Sequence, residues 1–252
     1  MSLGAMASAD ANAAVTSYSS AVLVDSGANL LNPAATPGHS LISAVNFTIA
    51  SQSTPVRNPT VNGIAFTPFD IPPSGSQLAS YSGTDWTLTS NSANVLIHDG
   101  NRVSGRPSTA DIYPLIYNAV VSPVAVSNQS FMTLQLQNLT IGQPYRLQLV
   151  FSSDQASRGV TVTDTTASAG TSTPGTTGNI SYGTTEGPKV ITGLFTADAT
   201  TQSVNIIATT SGTRVQFSGF TVAAVPEPAS AGALGAAGAA LVLRRRRANR
   251  AR

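Results

Sequence analysis

Cysteine is absent from the 252 residues. That excludes disulfide staples, thiolate metal sites and cysteine nucleophiles. It does not exclude an oxidising compartment, because a β core of this size needs no covalent staple. Charge is also scarce: Asp, Glu, Lys and Arg make up 10% of the chain, against about a quarter in an average soluble protein. Glutamate occurs twice (Glu186, Glu227), histidine twice (His39, His98) and tryptophan once (Trp86). Glycoside hydrolysis needs two carboxylates on facing walls, and the nine aspartates are spread singly along the chain. The sequence therefore offers no catalytic constellation and no metal-ligand cluster. His98 and Asp99 are adjacent, which in an extended chain points their side chains apart. No cofactor is expected.

The charges present are segregated. Six of the 13 basic residues fall in the last nine positions, leaving residues 1–243 with seven basic against eleven acidic ones, a net charge of −4. Nucleic-acid binding would need a basic face with stacking aromatics, and the body has only scattered arginines. Ser, Thr, Asn and Gln take the place of charge, as in β-rich extracellular proteins. Asn46, Asn128, Asn138 and Asn179 each open an N-x-Ser/Thr pattern, which arises easily in such a composition.

Along the body, apolar and polar residues alternate. Met132, Leu134 and Leu136 alternate with Thr133, Gln135 and Gln137, and Tyr145, Leu147, Leu149 and Phe151 with Arg146, Gln148 and Val150. Period 2 argues for strands. The Gly- and Pro-bearing stretch 138–144 between them reads as a turn, so the pair is expected to form a hairpin. Further strands are expected at Leu41–Ala50, Thr60–Phe66, Asn94–His98, Arg158–Asp164, Val190–Ala197, Gln202–Ala208 and Thr213–Val222. Ala167–Gly183 reads as a mobile loop. Many short strands with turn signals imply a β-sandwich or barrel. The fold expected is all-β, a β-sandwich or jelly roll followed by a single C-terminal apolar helix. Three segments result: an atypical or truncated signal region at 1–20, a sandwich body at 21–224 and a tail at 225–252. The first segment has no basic residue and too short an apolar run for a standard signal, so a start set too far downstream is expected.

The tail has three parts in order. Pro226-Glu227-Pro228 is stiff and extended. Ala229–Leu243 carries no charge, and as a helix it would reach about 22 Å, short of a bilayer core of about 30 Å. Arg244, Arg245, Arg246 and Arg247 follow. Snorkelling arginines and local thinning would make up the deficit, and the positive-inside rule would leave the body outside. This order at the chain end resembles the PEP-CTERM sorting signal of Gram-negative bacteria, over Val225 to Arg252. The resemblance implies an exported substrate of an exosortase-type membrane transpeptidase, held transiently in the inner membrane and then passed to the cell surface or extracellular matrix. It implies that Pro226, Glu227 and Pro228 form the recognition triplet and that Arg244 to Arg247 form the stop-transfer anchor.

The stretch Leu139–Asp154, with Arg158 and Gly193–Asp198, is similar to bodies that precede such tails. Those resemble galactose-binding-like jelly rolls, the fold of many carbohydrate-binding modules. Three functions follow from different classes: a non-catalytic envelope or matrix protein, a carbohydrate-binding module acting on exopolysaccharide, and a polysaccharide-active enzyme. The first is the expectation, with no enzyme activity. The second expects Trp86, or tyrosines such as Tyr81, turned outward on a concave face or rim, with Asp85, Asp154 and Arg158 as polar sugar contacts. A solvated Asp154–Arg158 ion pair is the blander reading of the last two.

Overall fold

The structure, a computed structural model, describes residues 15–24, 26–50, 57–72, 78–90, 96–99, 112–122, 131–164, 175–209 and 214–226. Two antiparallel layers face each other. The first runs, in spatial order, β1 (Val15–Tyr18), β15 (Lys189–Thr196), β12 (Pro144–Phe151), β18 (Gly219–Ala224), β3 (Ser40–Thr48) and β6 (Thr67–Asp70), with β2 (Val22–Leu23) also beside β15. The β3–β6 pairing is parallel. The second layer runs β14 (Ile180–Tyr182), β13 (Arg158–Asp164), β16 (Gln202–Ala208), β11 (Phe131–Leu136), β8 (Trp86–Ser90) and β7 (Ser80–Ser82). A small third sheet, β17 (Val215–Phe217), β10 (Ala119–Ser122) and β9 (Ile97–Asp99), lies alongside, and β4 (Thr60–Val61) and β5 (Ile64–Ala65) form a hairpin. One turn of α-helix, α1, spans Tyr113–Ile116, and two 3-10 turns lie at Gly27–Asn29 and Pro33–Ala35. The architecture is an all-β sandwich.

The sequence periods explain the second layer directly. In β11 the residues Met132, Leu134 and Leu136 are buried and alternate with half-buried Phe131, Thr133 and Gln135. In β8, W-T-L-T-S buries Trp86, Leu88 and Ser90. The outward residues pair across strands: Thr89 lies opposite Ser80 and Thr133, and Thr133 opposite Asn205. Their side chains bond to one another, Ser80 Oγ to Thr89 Oγ1 at 3.0 Å and Thr133 Oγ1 to Asn205 Oδ1 at 2.6 Å. An uncharged face of this kind satisfies itself with few Lys or Glu.

The first layer is covered on both sides. Tyr145, Leu147, Leu149 and Phe151 point into the main core. On the other face Val150 and Val190 join a second apolar cluster with Val24, Leu30, Val61, Ile64, Phe66 and the α1 residues Leu115 and Ile116. Every β12 residue after Pro144 is consequently buried, the near-continuous burial of an internal strand. The polar members of that outer face are tied to the covering loop: Leu31 N donates to Gln148 Oε1 at 3.1 Å, and Gln148 Nε2 donates to Thr192 Oγ1 at 3.4 Å.

The expected hairpin between 132–137 and 145–151 does not form. β11 pairs with β16 and β8, whereas β12 pairs with β15 and β18. The connection crosses between the layers, with Leu139 buried in the core and Thr140 N donating to Tyr145 Oη at 2.7 Å. Thr60–Phe66, expected as one strand, is the β4–β5 hairpin turning at Asn62-Gly63, both with positive φ. That dipeptide is the favoured chemistry for a two-residue turn. Residues 213–222 break at Ser218 into β17 and β18, which belong to different sheets. Ile180–Tyr182, inside the expected loop, is strand β14, and Val15–Tyr18, inside the expected signal region, is strand β1. The expected C-terminal helix lies outside the described residues; within them, no helix is long and apolar enough to cross a membrane.

An aromatic cluster joins the layers. Phe47 of β3 meets Phe69, Trp86, Phe217 and Phe220 with ring centroids 5.5 to 6.3 Å apart. Aromatic pairs in tilted or edge-on arrangements add to what burial alone gives. At the opposite edge Tyr18 Oη donates to Asp164 Oδ1 at 3.0 Å, clasping β1 to β13, and Gly175 N donates to the other carboxylate oxygen at 2.9 Å.

Two outcomes follow. Phe47→Ala should cost about 3–5 kcal/mol of unfolding free energy, read from urea titration; a loss under 1 kcal/mol would remove the cluster as the hinge of the fold. Burial first, then the Asp164 charge, push the Tyr18 phenol above its ordinary range, and burial does the same to Tyr182. A raised phenol keeps its proton in the folded state after the unfolded chain has lost it. Stability should therefore be flat below about pH 10 and fall by up to about 1.4 kcal/mol per pH unit per phenol above it. Tyr18→Phe should flatten that alkaline slope in urea titrations at pH 9 to 11; an unchanged slope would count against the clasp.

Candidate functional site

The described strand β6 reaches only part of its neighbour. The β3–β6 ladder begins at Val45, opposite Thr67, while β3 itself starts at Ser40. Along Ser40–Ala44, no described strand pairs with β3 on that side. A cleft of about 350 Å³ occupies this gap, between the edge of the first layer and the β7–β8 turn of the second. That volume lies within the range of small-ligand sites, about 300–1,000 Å³. One wall is β3 from Leu41 to Val45 with Thr67, Pro68 and Phe69, and the other is Gly83, Thr84, Asp85 and Trp86.

Asn138 holds the second wall in place. It sits at φ 58°, a left-handed conformation that Asn tolerates better than most residues. From there its Nδ2 donates to Thr84 O and to Asp85 Oδ1, each at 3.2 Å. The backbone of the same connection adds Gln137 N donating to Asp85 O at 2.8 Å, and the turn closes with Gly83 N donating to Trp86 O at 2.9 Å. A Cβ at Gly83 would collide with the indole Nε1 of Trp86, so only glycine fits. Asp85 is half-buried and, among the described residues, is the sole charged one lining the cleft.

The residues singled out from sequence are thus partly gathered. Asp85 and Trp86 share the cleft wall. Trp86, however, is 3% exposed and turned into the core, edge-on to Phe47, Phe69 and Phe220. It presents no open ring face for a sugar to stack on, because the W-T-L-T-S alternation directs it inward. Tyr81 is buried as well: Leu78 N donates to its Oη at 2.9 Å, and that Oη donates to Leu96 O at 3.4 Å. Asp154 and Arg158 stand elsewhere, after β12. Asp154 Oδ1 accepts from Gln155 Nε2 at 3.0 Å, and the expected Asp154–Arg158 ion pair is not found; the ion pair among the described residues is Arg57–Asp70. Arg158 lies instead near Tyr182 and Arg214, with burial pulling its pKa down. No three His, Asp or Glu side chains converge among the described residues. The β3 edge of the cleft was not legible in sequence, because which strand flanks β3, and for how far, is a tertiary outcome.

Of the tail, Pro226 is described and exposed at the rim of the first layer. Glu227, Pro228 and Arg244 to Arg247 lie outside the described residues.

No protein-family model and no curated protein matches the chain. Among solved structures, the carbohydrate-binding module TmCBM61, determined with β-1,4-galactotriose, is similar over 55% of this chain and 88% of its own, at 10% identity and a TM-score of 0.36. The family 11 carbohydrate-binding module of the Clostridium thermocellum cellulase Lic26A-Cel5E matches over 60% and 94%, at 11% identity and a TM-score of 0.25. The enzymatically active domain of tailspike protein 4 of bacteriophage CBA120 matches over 55% of this chain and 18% of its own, at 12% identity and a TM-score of 0.29. At these scores none of the three assigns a ligand to this chain.

The single tryptophan makes the cleft easy to read. Native emission should lie to the blue of the unfolded chain and resist quenching by iodide. Gly83→Ala, by displacing the indole, should shift that emission to the red while the far-ultraviolet spectrum stays that of a β protein. Emission unchanged by Gly83→Ala would show that the turn does not set the position of Trp86.

Proposed function

We propose that the protein is a non-catalytic module that binds an extracellular polysaccharide in the cleft between the edge of β3 and the β7–β8 turn. The observation that carries this reading is the make-up of that cleft. Phe69 and Val45 give it apolar surface, Ser43, Thr67 and Thr84 give it hydroxyls, and Asp85 gives it one carboxylate. Sugars combine apolar ring faces with many hydroxyls, and such a mixed lining matches them. The buried position of Trp86 removes the form of the reading in which a sugar stacks on an open indole. The grip is instead by hydrogen bonds from the rim, with the edge of the aromatic cluster as floor.

Affinity electrophoresis of the full chain through gels cast with neutral, amino and uronic polysaccharides tests this, followed by calorimetry on the retarding polymer. Asp85→Ala should weaken binding by about tenfold, the effect of losing a charge-assisted hydrogen bond. Gly83→Ala should weaken it by displacing the indole that lines the cleft, and Thr161→Ala, on β13 three strands away from β8, should leave it unchanged. No retardation by any polymer, or retardation indifferent to both cleft variants, would overturn the reading.

We also propose that this module is exported and sorted through its tail. The support is the order of Pro226-Glu227-Pro228, the uncharged run 229–243 and the four arginines at 244–247. Expressed behind a signal peptide, the chain should lose its arginine tail and reach the surface only in a host carrying an exosortase. An intact mass in hosts with and without that enzyme would set the sorting role aside.

A further inference from the structure

The outer face of the first layer carries a row of residues at its end nearest the tail. Leu194, Arg146, Ala223 and Leu41 stand opposite one another on β15, β12, β18 and β3. Residues directly opposite share a face of the sheet. Leu31 lies over them in the covering loop, its carbonyl accepting from Arg146 Nη2 at 3.4 Å. Leu194 is 44% exposed, Leu31 46% and Leu41 40%. Single exposed leucines need no explanation, but Leu194 stands directly opposite Arg146, Leu41 lies further along the same row, and Leu31 meets it through its carbonyl. Arg146 itself is 8% exposed, and among the described residues it has no carboxylate partner. Burial pulls its pKa down with no acid to offset that. His39, which feels the Arg146 charge, has a buried Nδ1 without a hydrogen-bond partner among the described residues. A buried guanidinium with no carboxylate partner among the described residues is costly, and it is also well shaped to take an anion in its fork of donors.

The chain leaves the fold at this same corner. Three residues beyond Ala223, Pro226 packs so closely on Gly38 that a Cβ there would meet its ring at 2.7 Å. Val225 is held by its own amide on Pro144 O at 2.9 Å and by Gln143 Nε2 on its carbonyl. The uncharged run of the tail begins at Ala229, three residues after Pro226, a reach of about 10 Å for extended chain. Wherever that run enters a bilayer, this corner is held within about 10 Å of the lipid surface.

We propose that this corner is a surface that docks on an anionic lipid bilayer, with Arg146 taking a lipid phosphate and Leu31, Leu41 and Leu194 resting in the headgroup region. It rests on the reading of the tail as a membrane anchor. The row carries no acidic side chain, and each arginine near an anionic surface contributes about 1 kcal/mol, about a fivefold change in occupancy. Docking would hold the body against the membrane, and Leu41, which also lines the cleft, belongs to both surfaces.

Because the chain has no cysteine, a single one can be labelled cleanly. Full-length Leu31→Cys, Leu194→Cys and, on the far layer, Thr133→Cys would each carry an environment-sensitive fluorophore. They would be reconstituted with vesicles of phosphatidylcholine alone or with phosphatidylglycerol. In the mixed vesicles, labels at 31 and 194 should shift to the blue and be quenched by a bilayer-embedded quencher, while the label at 133 should not. Arg146→Gln in the labelled chains should reduce the docked fraction about fivefold in mixed vesicles and change little in phosphatidylcholine. If the chain does not float with either vesicle, the anchor reading fails and the docking surface falls with it. If it floats but positions 31, 194 and 133 respond alike, the anchor stands and the docking surface is overturned.

Discussion

The packing of Phe47 is the constraint on which the rest depends. It sits on β3, the strand that joins β18 to β6, and its ring touches residues of the first layer, the second layer and the small third sheet. With no disulfide available, the layers are held chiefly by buried apolar area, and aromatic rings supply the most area per residue. The same cluster draws Trp86 inward, which pulls the β7–β8 turn against the edge of the first layer. The cleft is the space left where that turn and the short strand β6 fail to meet.

A second consequence concerns the first layer, which has two cores instead of one. Its inner face packs on the second layer, and its outer face packs under the segments 26–38, 57–66 and α1. Covering a sheet on both sides forces its outward polar residues out of water. Gln148, Thr192 and Thr221 answer this by bonding to one another and to Leu31 N. Buried polar groups are stabilising only when satisfied. Arg146 is the member of this face whose partners are few, and it stands where the cover ends.

The molecule therefore presents two unlike surfaces. The outward side of the second layer is a field of paired hydroxyls and amides that satisfy each other. The rims are where groups are left over: a strand edge with Asp85 on one side, and a guanidinium among leucines where the chain leaves toward its tail. Both arise because a sandwich can complete its hydrogen bonding within sheets but not at their ends.

Alternation by itself determined much. Arg158–Asp164 and Gln202–Ala208 are strands with the bounds the pattern gives, and the inward turn of Trp86 follows from W-T-L-T-S once that stretch is read as a strand. The segregation of charge into the tail was equally plain in the sequence. These are local properties, since the pleat alone sends successive side chains to opposite faces. Partner choice was decided only by the tertiary structure. Nothing within 132–151 distinguishes a hairpin from a crossover, because β11 and β12 find their neighbours among residues 40 to 224 and the decision sums contacts across the whole core. For the same reason the cleft and the corner at Arg146 were invisible: each is made of residues distant in sequence, brought together by where strands end.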